Sequence, residues 1–565
     1  MKNQKINNMK IKSINLIAGS LILIFSWGCS QGILDENPPQ LISTESLYTS
    51  LAGFEAGLNG LYATLRDEYE TYTDVEMPAG MYLGGNDNMV SNHKSSYGYN
   101  RITQVWGDAN NPLEEFYAVT FIRLYSSINA ANTIINQAEE RTDVDWSGGG
   151  VPASDNQNRV IAEAKAVRAW AYRHLSYGWG DVPIALEESL GSNIRTDWER
   201  SPVKVVRRQI ISDLLFAEQH LLVQPAMQGR ITKGAVQTYL AEMYLVLKKP
   251  DSALYWSDKV INTPEYKLIT ERYGVNKSKP GIAFMDMFVE GNENRNKGNT
   301  EALWVWQFAV NTQGGGENLS RRYHASRYYD WVFKGVRPLT VTYERGGRGK
   351  SRQSLTKWAI DLYEPKDDRA SNYAIRKFFI LNDAAANAPY AADKLPAGYN
   401  YGDTIWFPSD EDISVTHSQV MNWPWSRKAD GGNPDDLSAD ERYNNIIYLR
   451  LGETYLLKAE AQYLLGDLQG AANTINIIRR RSNASDVSAG EINIDFILDE
   501  RSRELVFEEH RRWTLLRTGK WLERVRKYNK NGGQLVTARD TIFPLPQTVI
   551  DANLTKPMSQ NPGWN

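Results

Sequence analysis

The sequence predicts a mainly helical scaffold of repeated helix pairs, interrupted by long irregular segments that carry function. Three observations predict it. Helical periodicity dominates the middle and late parts of the 565-residue chain, with Gly, Pro and Asn-rich stretches between the periodic runs. One helix-turn-helix pattern occurs twice: AEMYLVLKKPDSA (241–253) aligns with AEAQYLLGDLQGA (459–471), matching Ala241, Glu242, Leu247 and Ala253 to Ala459, Glu460, Leu465 and Ala471. Residues 72–112 and 264–440 lack sustained periodicity yet are rich in Gly, Asn, Asp, Trp and Tyr, the composition of an ordered insertion rather than a disordered one.

The N-terminus carries Lys2, Lys5, Lys10 and Lys12, an apolar run from Ile14 to Trp27, then Gly28 and Cys29. This is the layout of a secretory signal (1–28) whose cleavage exposes Cys29 for acylation, and the run is shorter than the ~18 apolar residues that span a bilayer. The acidic, proline-containing segment 29–40 reads as a lipidated tether, and more than one acyl chain on Cys29 anchors stably. Cys29 is the only cysteine, which excludes an internal disulfide and a cysteine zinc site. Ala162–Tyr177 reads as a helix stopped at Gly178 and Gly180, and Ser201-Pro202 as the start of another that runs to Leu222. Glu301–Val310 alternates like a strand, with Trp304 and Trp306 on its core face. Net charge is −3, and removing 1–28 takes away four lysines and no acid, leaving −7. Both signs are interspersed, so no nucleic-acid partner is expected. The chain holds 17 Trp and 30 Tyr against 15 Phe, an excess that suits surfaces using an apolar ring and a polar edge together.

Several segments, in order, resemble the SusD/RagB family. EAKAVRAWAYRHLSYGWGDVPI (163–184) is similar to its first helical signature and Gly-Asp-Val-Pro turn, and NNIIYLRLGETYLLKAEAQYLLGD (444–467) to its most recognisable helix, with Arg450, Glu453 and Glu460 in place. AANTINIIRRRS, ILDERSRELVFEEHRRWTLLRTGKW and the ending IFPLPQTVIDANLTKPMSQNPGWN follow, the last resembling the family's Phe-Pro-Leu-Pro and Gln-Asn-Pro-Gly-aromatic close. The resemblance implies an all-α scaffold of four tetratricopeptide-like helix pairs with loop-rich insertions and a few short strands. Residues 41–330 and 331–565 are its expected N-terminal and C-terminal regions. It also implies a non-enzymatic, cofactor-free lipoprotein on the outer membrane that captures glycan for a SusC-like TonB-dependent transporter. Peptide capture, as in RagB-like members, a secreted all-α glycoside hydrolase and a purely structural lipoprotein are the alternatives.

Sugar capture requires aromatic faces beside groups that hydrogen-bond hydroxyls. Two stretches fit: Tyr82, Asp87, Asn88, Tyr97, Tyr99, Arg101 and Trp106 in the first, where the family's first ligand loop falls, and Tyr323, Tyr328 and Trp331 in the second. Trp423 and Trp425, separated by Pro424, are outside candidates. Glu500, Arg503, Glu504, Glu508 and Arg511 share a helix face, which reads as salt-bridged scaffold rather than a glycosidase carboxylate pair. Gly349-Lys350-Ser351 imitates the end of a phosphate loop, but Glu344 stands where glycine is required. The six histidines show no zinc spacing, and Asp410–Asp412 and Asp435-Asp436 read as solvated acidic loops, so no metal is expected.

Overall fold

The computed structural model describes residues 44–70, 77–92, 98–191, 193–383, 391–408, 420–433 and 435–564, so the signal segment, Cys29 and Asp410–Asp412 lie outside the described residues. Residues Ser50–Asn565 form one compact unit. Its larger helices are α1 (Leu51–Arg66), α2 (Gly98–Val105), α3 (Glu115–Glu140), α4 (Ala153–Gly178), α5 (Val203–His220), α6 (Lys233–Val246), α7 (Pro250–Ile261), α8 (Leu451–Leu464), α9 (Leu468–Arg481), α10 (Ile494–Leu505), α11 (Arg511–Arg517) and α12 (Trp521–Tyr528). Among the described residues eight short strands complete it: β1 (Met89–Ser91), β2 (Ala302–Trp306), β3 (Gln353–Leu355), β4 (Ile375–Arg376), β5 (Phe378–Ile380), β6 (Thr404–Trp406), β7 (Trp425–Ser426) and β8 (Ile446–Arg450). They pair as β1–β3, β2–β8, β4–β7 and β5–β6, each antiparallel. The fold is the expected helical scaffold with minor strands.

Neighbouring helices α3 to α7 pack in chain order, and α7 then packs on α8 although nearly two hundred residues intervene. Alanines make this close approach possible: Ala162, Ala164, Ala166, Ala169 and Ala171 of α4 are all buried. Helix α4 begins at Ala153, well before the expected start, because Pro152 opens a polar first stretch that carries no apolar periodicity.

The internal repeat is real in three dimensions. It is formed by α6–α7 and α8–α9, and the matched positions Lys248 and Gly466 both take a left-handed backbone, φ 58° and 81°, which turns each helix back on itself. The matched glutamates point inward in both copies. Glu242 accepts from Arg173 Nε at 2.7 Å, and Glu460 accepts from Arg517. Strand β2 joins the two copies through β8, with Trp306 opposite Ile446, and Trp306 stacks on Tyr448 at 3.9 Å. Trp304 and Trp306 are core, as their alternation predicts. Among the described residues no helix is long and apolar enough to cross a membrane.

Candidate functional site

Most of the predicted ligand residues are interior. Tyr82 sits on a helical turn, fully buried, its ring against His174 (4.8 Å), His510 (5.2 Å) and Trp513 (5.1 Å). Asp87, 0% exposed, accepts from Arg511 Nε and Nη2 at 2.8 and 2.7 Å and from Arg524 Nε at 2.7 Å. Burial pushes its carboxyl up, but the two guanidiniums overcome that and hold it below its ordinary value. Asn88 is buried and donates to Ser502 Oγ. Trp106, 1% exposed, meets Trp521 edge to face at 5.6 Å. These four are corrected from ligand contacts to core: the chain after α1 threads against α11 and α12, where Asp87 is the counter-charge for two buried arginines. Arg101 stays at the surface, paired with Glu114 at 2.6 Å. Tyr97 lies outside the described residues, and Tyr99 falls in α2 with only its backbone described.

The second stretch is likewise interior. Tyr323 accepts from the Met77 amide at 2.9 Å, and Tyr328 donates to the Gly347 carbonyl at 3.0 Å. Tyr328 and Trp331 belong to an apolar cluster with Phe379, Ile405, Phe407 and Trp425. Trp423 is buried too, donating to the Leu355 carbonyl at 2.9 Å. A half-buried alternation reads the same for a core strand and a ligand face, and here the core reading holds for each of them.

The charged cluster is salt-bridged, as expected, and largely buried, but it does not share one helix face: α10 ends at Leu505, Glu508 lies in the turn beyond it and Arg511 opens α11. Glu504 binds Arg450 at 2.6 Å and Arg369 at 3.0 Å, and also Arg481. Arg450 reaches Glu301 and Glu508 as well, each at 2.6 Å, while Lys428 binds Glu508 at 2.5 Å. Glu500 holds Arg369, Arg479 and Arg503 between 2.7 and 2.8 Å. Burial raises the Glu500 carboxyl, and Arg369, Arg503 and Arg479 bring it down to about 2. Glycoside hydrolysis requires one carboxyl to keep its proton near neutral pH, which Glu500 does not. Glu293 behaves differently. Burial pushes it up to about 7, one oxygen accepts from the Gly291 amide at 2.8 Å, and the other has no hydrogen-bond partner.

Among the described residues folding brings together one group with metal-ligand chemistry that sequence spacing could not reveal: Glu68, His174 and His510, whose ligand atoms lie within 4.8 Å of one another. Trp513 Nε1 donates to His174 Nδ1 at 3.2 Å, and Arg173 Nη1 lies 3.1 Å from His510 Nδ1. Indole and guanidinium are donors only, so both Nδ1 atoms accept and both ring protons sit on Nε2, that of His174 directed to the Tyr448 hydroxyl at 3.4 Å and that of His510 facing Glu68 at 3.5 Å. Tyr448 donates to the same carboxylate at 3.1 Å. With the Nε2 lone pairs occupied by protons, the donor set fits a hydrogen-bonded hub and does not fit a metal.

One solvent-facing ring surface was missed by the sequence reading. Hairpin β5–β6 pairs Phe378 with Trp406 and Ile380 with Thr404. Phe379, Ile405 and Phe407 point inward to the apolar cluster, leaving Phe378, Ile380 and Trp406 on the outer face. Trp406 is 60% exposed, Ile380 is 48% exposed, and the Phe378 and Trp406 rings lie 4.6 Å apart at 51°. The alternation in Thr404-Ile405-Trp406-Phe407 was the available signal, because period two places every second residue on the same face.

Known proteins give a consistent picture. The SusD family model matches residues 300–564, and a model described as "Starch-binding associating with outer membrane" matches 34–245. SusD-like protein P25 of Formosa agariphila is 25% identical over 531 residues, 90% of each chain, and a SusD-like protein of Bacteroides ovatus is 28% identical over 241 residues, covering 42% of this chain and 39% of the relative. Among solved structures, a laminarin binding SusD-like protein superposes with TM-score 0.67 at 20% identity, covering 90% of this chain and 98% of its own. Surface glycan-binding protein A from Bacteroides thetaiotaomicron, in complex with laminarihexaose, gives TM-score 0.67 at 18% identity, covering 91% of this chain and all of its own. From its first matched segment to its last, this chain belongs to the SusD-like family.

Proposed function

We propose that the chain captures glycans at the outer-membrane surface, held there by acylated Cys29, and passes them to a SusC-like TonB-dependent transporter. The observation that carries this reading is the solvent-facing pair Phe378 and Trp406, set on a hairpin whose inner residues are locked in core. A rigid ring face lies flat against the C–H face of a pyranose and loses little entropy on binding. The family description and the glycan-binding neighbours support the same class of ligand. The arginine-saturated Glu500 and Glu504 support binding without hydrolysis.

Affinity electrophoresis of residues 30–565 against a panel of polysaccharides, with released sugars assayed in parallel, tests it. Retardation by a polysaccharide class without product is the expected result. Product that disappears in Glu293→Gln would make the chain a hydrolase, and retention of a peptide in place of any glycan would move it to the RagB-like alternative.

A further inference from the structure

A groove of about 520 Å³ opens within the insertion, bounded by residues 272–290, 343–344, 373, 427–431 and 444. Its rings are Phe288, Tyr343 and Tyr373, the last exposed. Its arginines are already engaged. Arg272 donates from Nε to Asp286 and from its two terminal nitrogens to the Lys279 and Asn276 carbonyls, each at 2.7 Å. Arg427 Nε binds Asp430 at 2.8 Å. Glu290 and Glu344 line the same groove, both exposed and without an ion pair among the described residues, against Lys279 as the single lining cation in that condition. Asn444, also lining the groove, is only 4% exposed, yet its Oδ1 has no hydrogen-bond partner.

We infer that this groove is a binding subsite for uncharged saccharides and excludes chains carrying sulfate or uronic acid. The inference rests on the glycan-capture reading and names the substrate class within it. A carboxylate accepts two hydrogen bonds side by side, which matches adjacent hydroxyls on a sugar ring, and the buried Asn444 Oδ1 lacks only a donor that a hydroxyl supplies. The Tyr343 and Tyr373 rings, lining the same groove, offer apolar faces for the sugar's C–H groups. An anionic substituent would meet two free carboxylates and gain one lysine, a like-charge arrangement that works as a filter against it.

Isothermal titration of residues 30–565 with laminarihexaose and maltohexaose, each beside its sulfated counterpart, tests the inference. A neutral probe should bind, its sulfated form should not, and Glu290→Gln and Asn444→Ala should each weaken the neutral probe by about tenfold. Glu290 is exposed, so its variant answers the question even if Asn444→Ala folds poorly. Equal affinity for the sulfated form, or neutral binding unchanged in Glu290→Gln, would overturn the subsite while leaving capture intact. Retention of anionic polysaccharides alone would do the same, whereas no glycan binding in titration or electrophoresis would overturn the capture reading itself.

Discussion

Trp106 and Trp406 occupy opposite situations in one molecule. Trp106 ends a stretch of sequence rich in Gly, Asn and Tyr, the expected setting of a ligand platform, yet directly follows α2 and is 1% exposed against Trp521. Trp406 stands on an unremarked hairpin and is the more open of the two by far, at 60%. What separates them is charge. The segment that carries Trp106 brings Asp87 to Arg511 and Arg524, and these two buried guanidiniums hold that part of it inward. The Trp406 hairpin has a period-two apolar face to bury and no such anchor on its outer side.

The sharpest way to break this comparison is to remove the anchor. Asp87→Ala leaves Arg511 and Arg524 short of a counter-charge and should cost about 3 to 5 kcal/mol of stability, read by chemical denaturation. A melting curve like that of the unmodified chain would mean the first segment is not held by this pair. Trp106→Ala should cost a similar amount, about 3 to 5 kcal/mol, through the cavity it leaves. Were it to abolish glycan retention with an unchanged melting temperature, the sequence-based assignment of Trp106 as a platform would be restored.

Acid should loosen the interior that surrounds the first segment. Burial holds His174 well below its ordinary 6.5, helped by the charges of Arg173 and Arg123, and holds His324 at about 3. Both groups bind a proton more readily unfolded than folded, so their contribution is fully present above about 6.5 and is lost as pH falls towards the folded values, at about 1.4 kcal/mol per pH unit for each. Glu500, ordinarily near 4.5 and folded at about 2, adds a loss of the same sign below 4.5. Urea midpoints measured from pH 7 to 4 should therefore fall steadily, and a flat profile would show these histidines to be solvated.

On the other side of the comparison, Trp406→Ala should weaken polysaccharide binding by about tenfold or more, near 1.4 kcal/mol, with stability changed by less than about 1 kcal/mol. Binding indifferent to this change would remove the hairpin from the site. Smallest of all, Arg101→Ala breaks a surface pair and should shift stability by about 0.2 to 1 kcal/mol in denaturation, vanishing in high salt.

The scaffold was legible because its signals are local. Helix-forming periodicity and the paired helix-turn-helix repeat are properties of short windows. The site was not, because burial is decided by partners far away in the chain. Asp87 meets Arg511 across 424 positions and Arg524 across 437, and no window around Asn88 or Tyr82 contains that information. The histidines were unreadable for the same reason: His174 and His510 have no ligand spacing in sequence, and their tautomers follow from Trp513 and Arg173 only once all four are side by side. The Trp406 face was readable in principle, since its alternation spans four residues, but four residues alternate in the same way on any core strand.

The Arg450 cluster has a consequence for how such a chain can be re-engineered or can diverge. Arg450, at the mouth of α8, is bonded to Glu301 on one side and to Glu504 and Glu508 on the other, and Lys428 and Arg369 tie further stretches of the insertion to the same carboxylates. The insertion is thus grafted at a root that tolerates no exchange without leaving a charge stranded, and its outer hairpin is tied in as well, through the buried pair of Asp393 with Arg345, which also donates to the Ile380 carbonyl. Transplants between relatives that keep the root and the Arg345–Asp393 pair and exchange only the strand residues 378–380 and 404–406 should fold, and those that cut through residues 393, 428 or 450 should not.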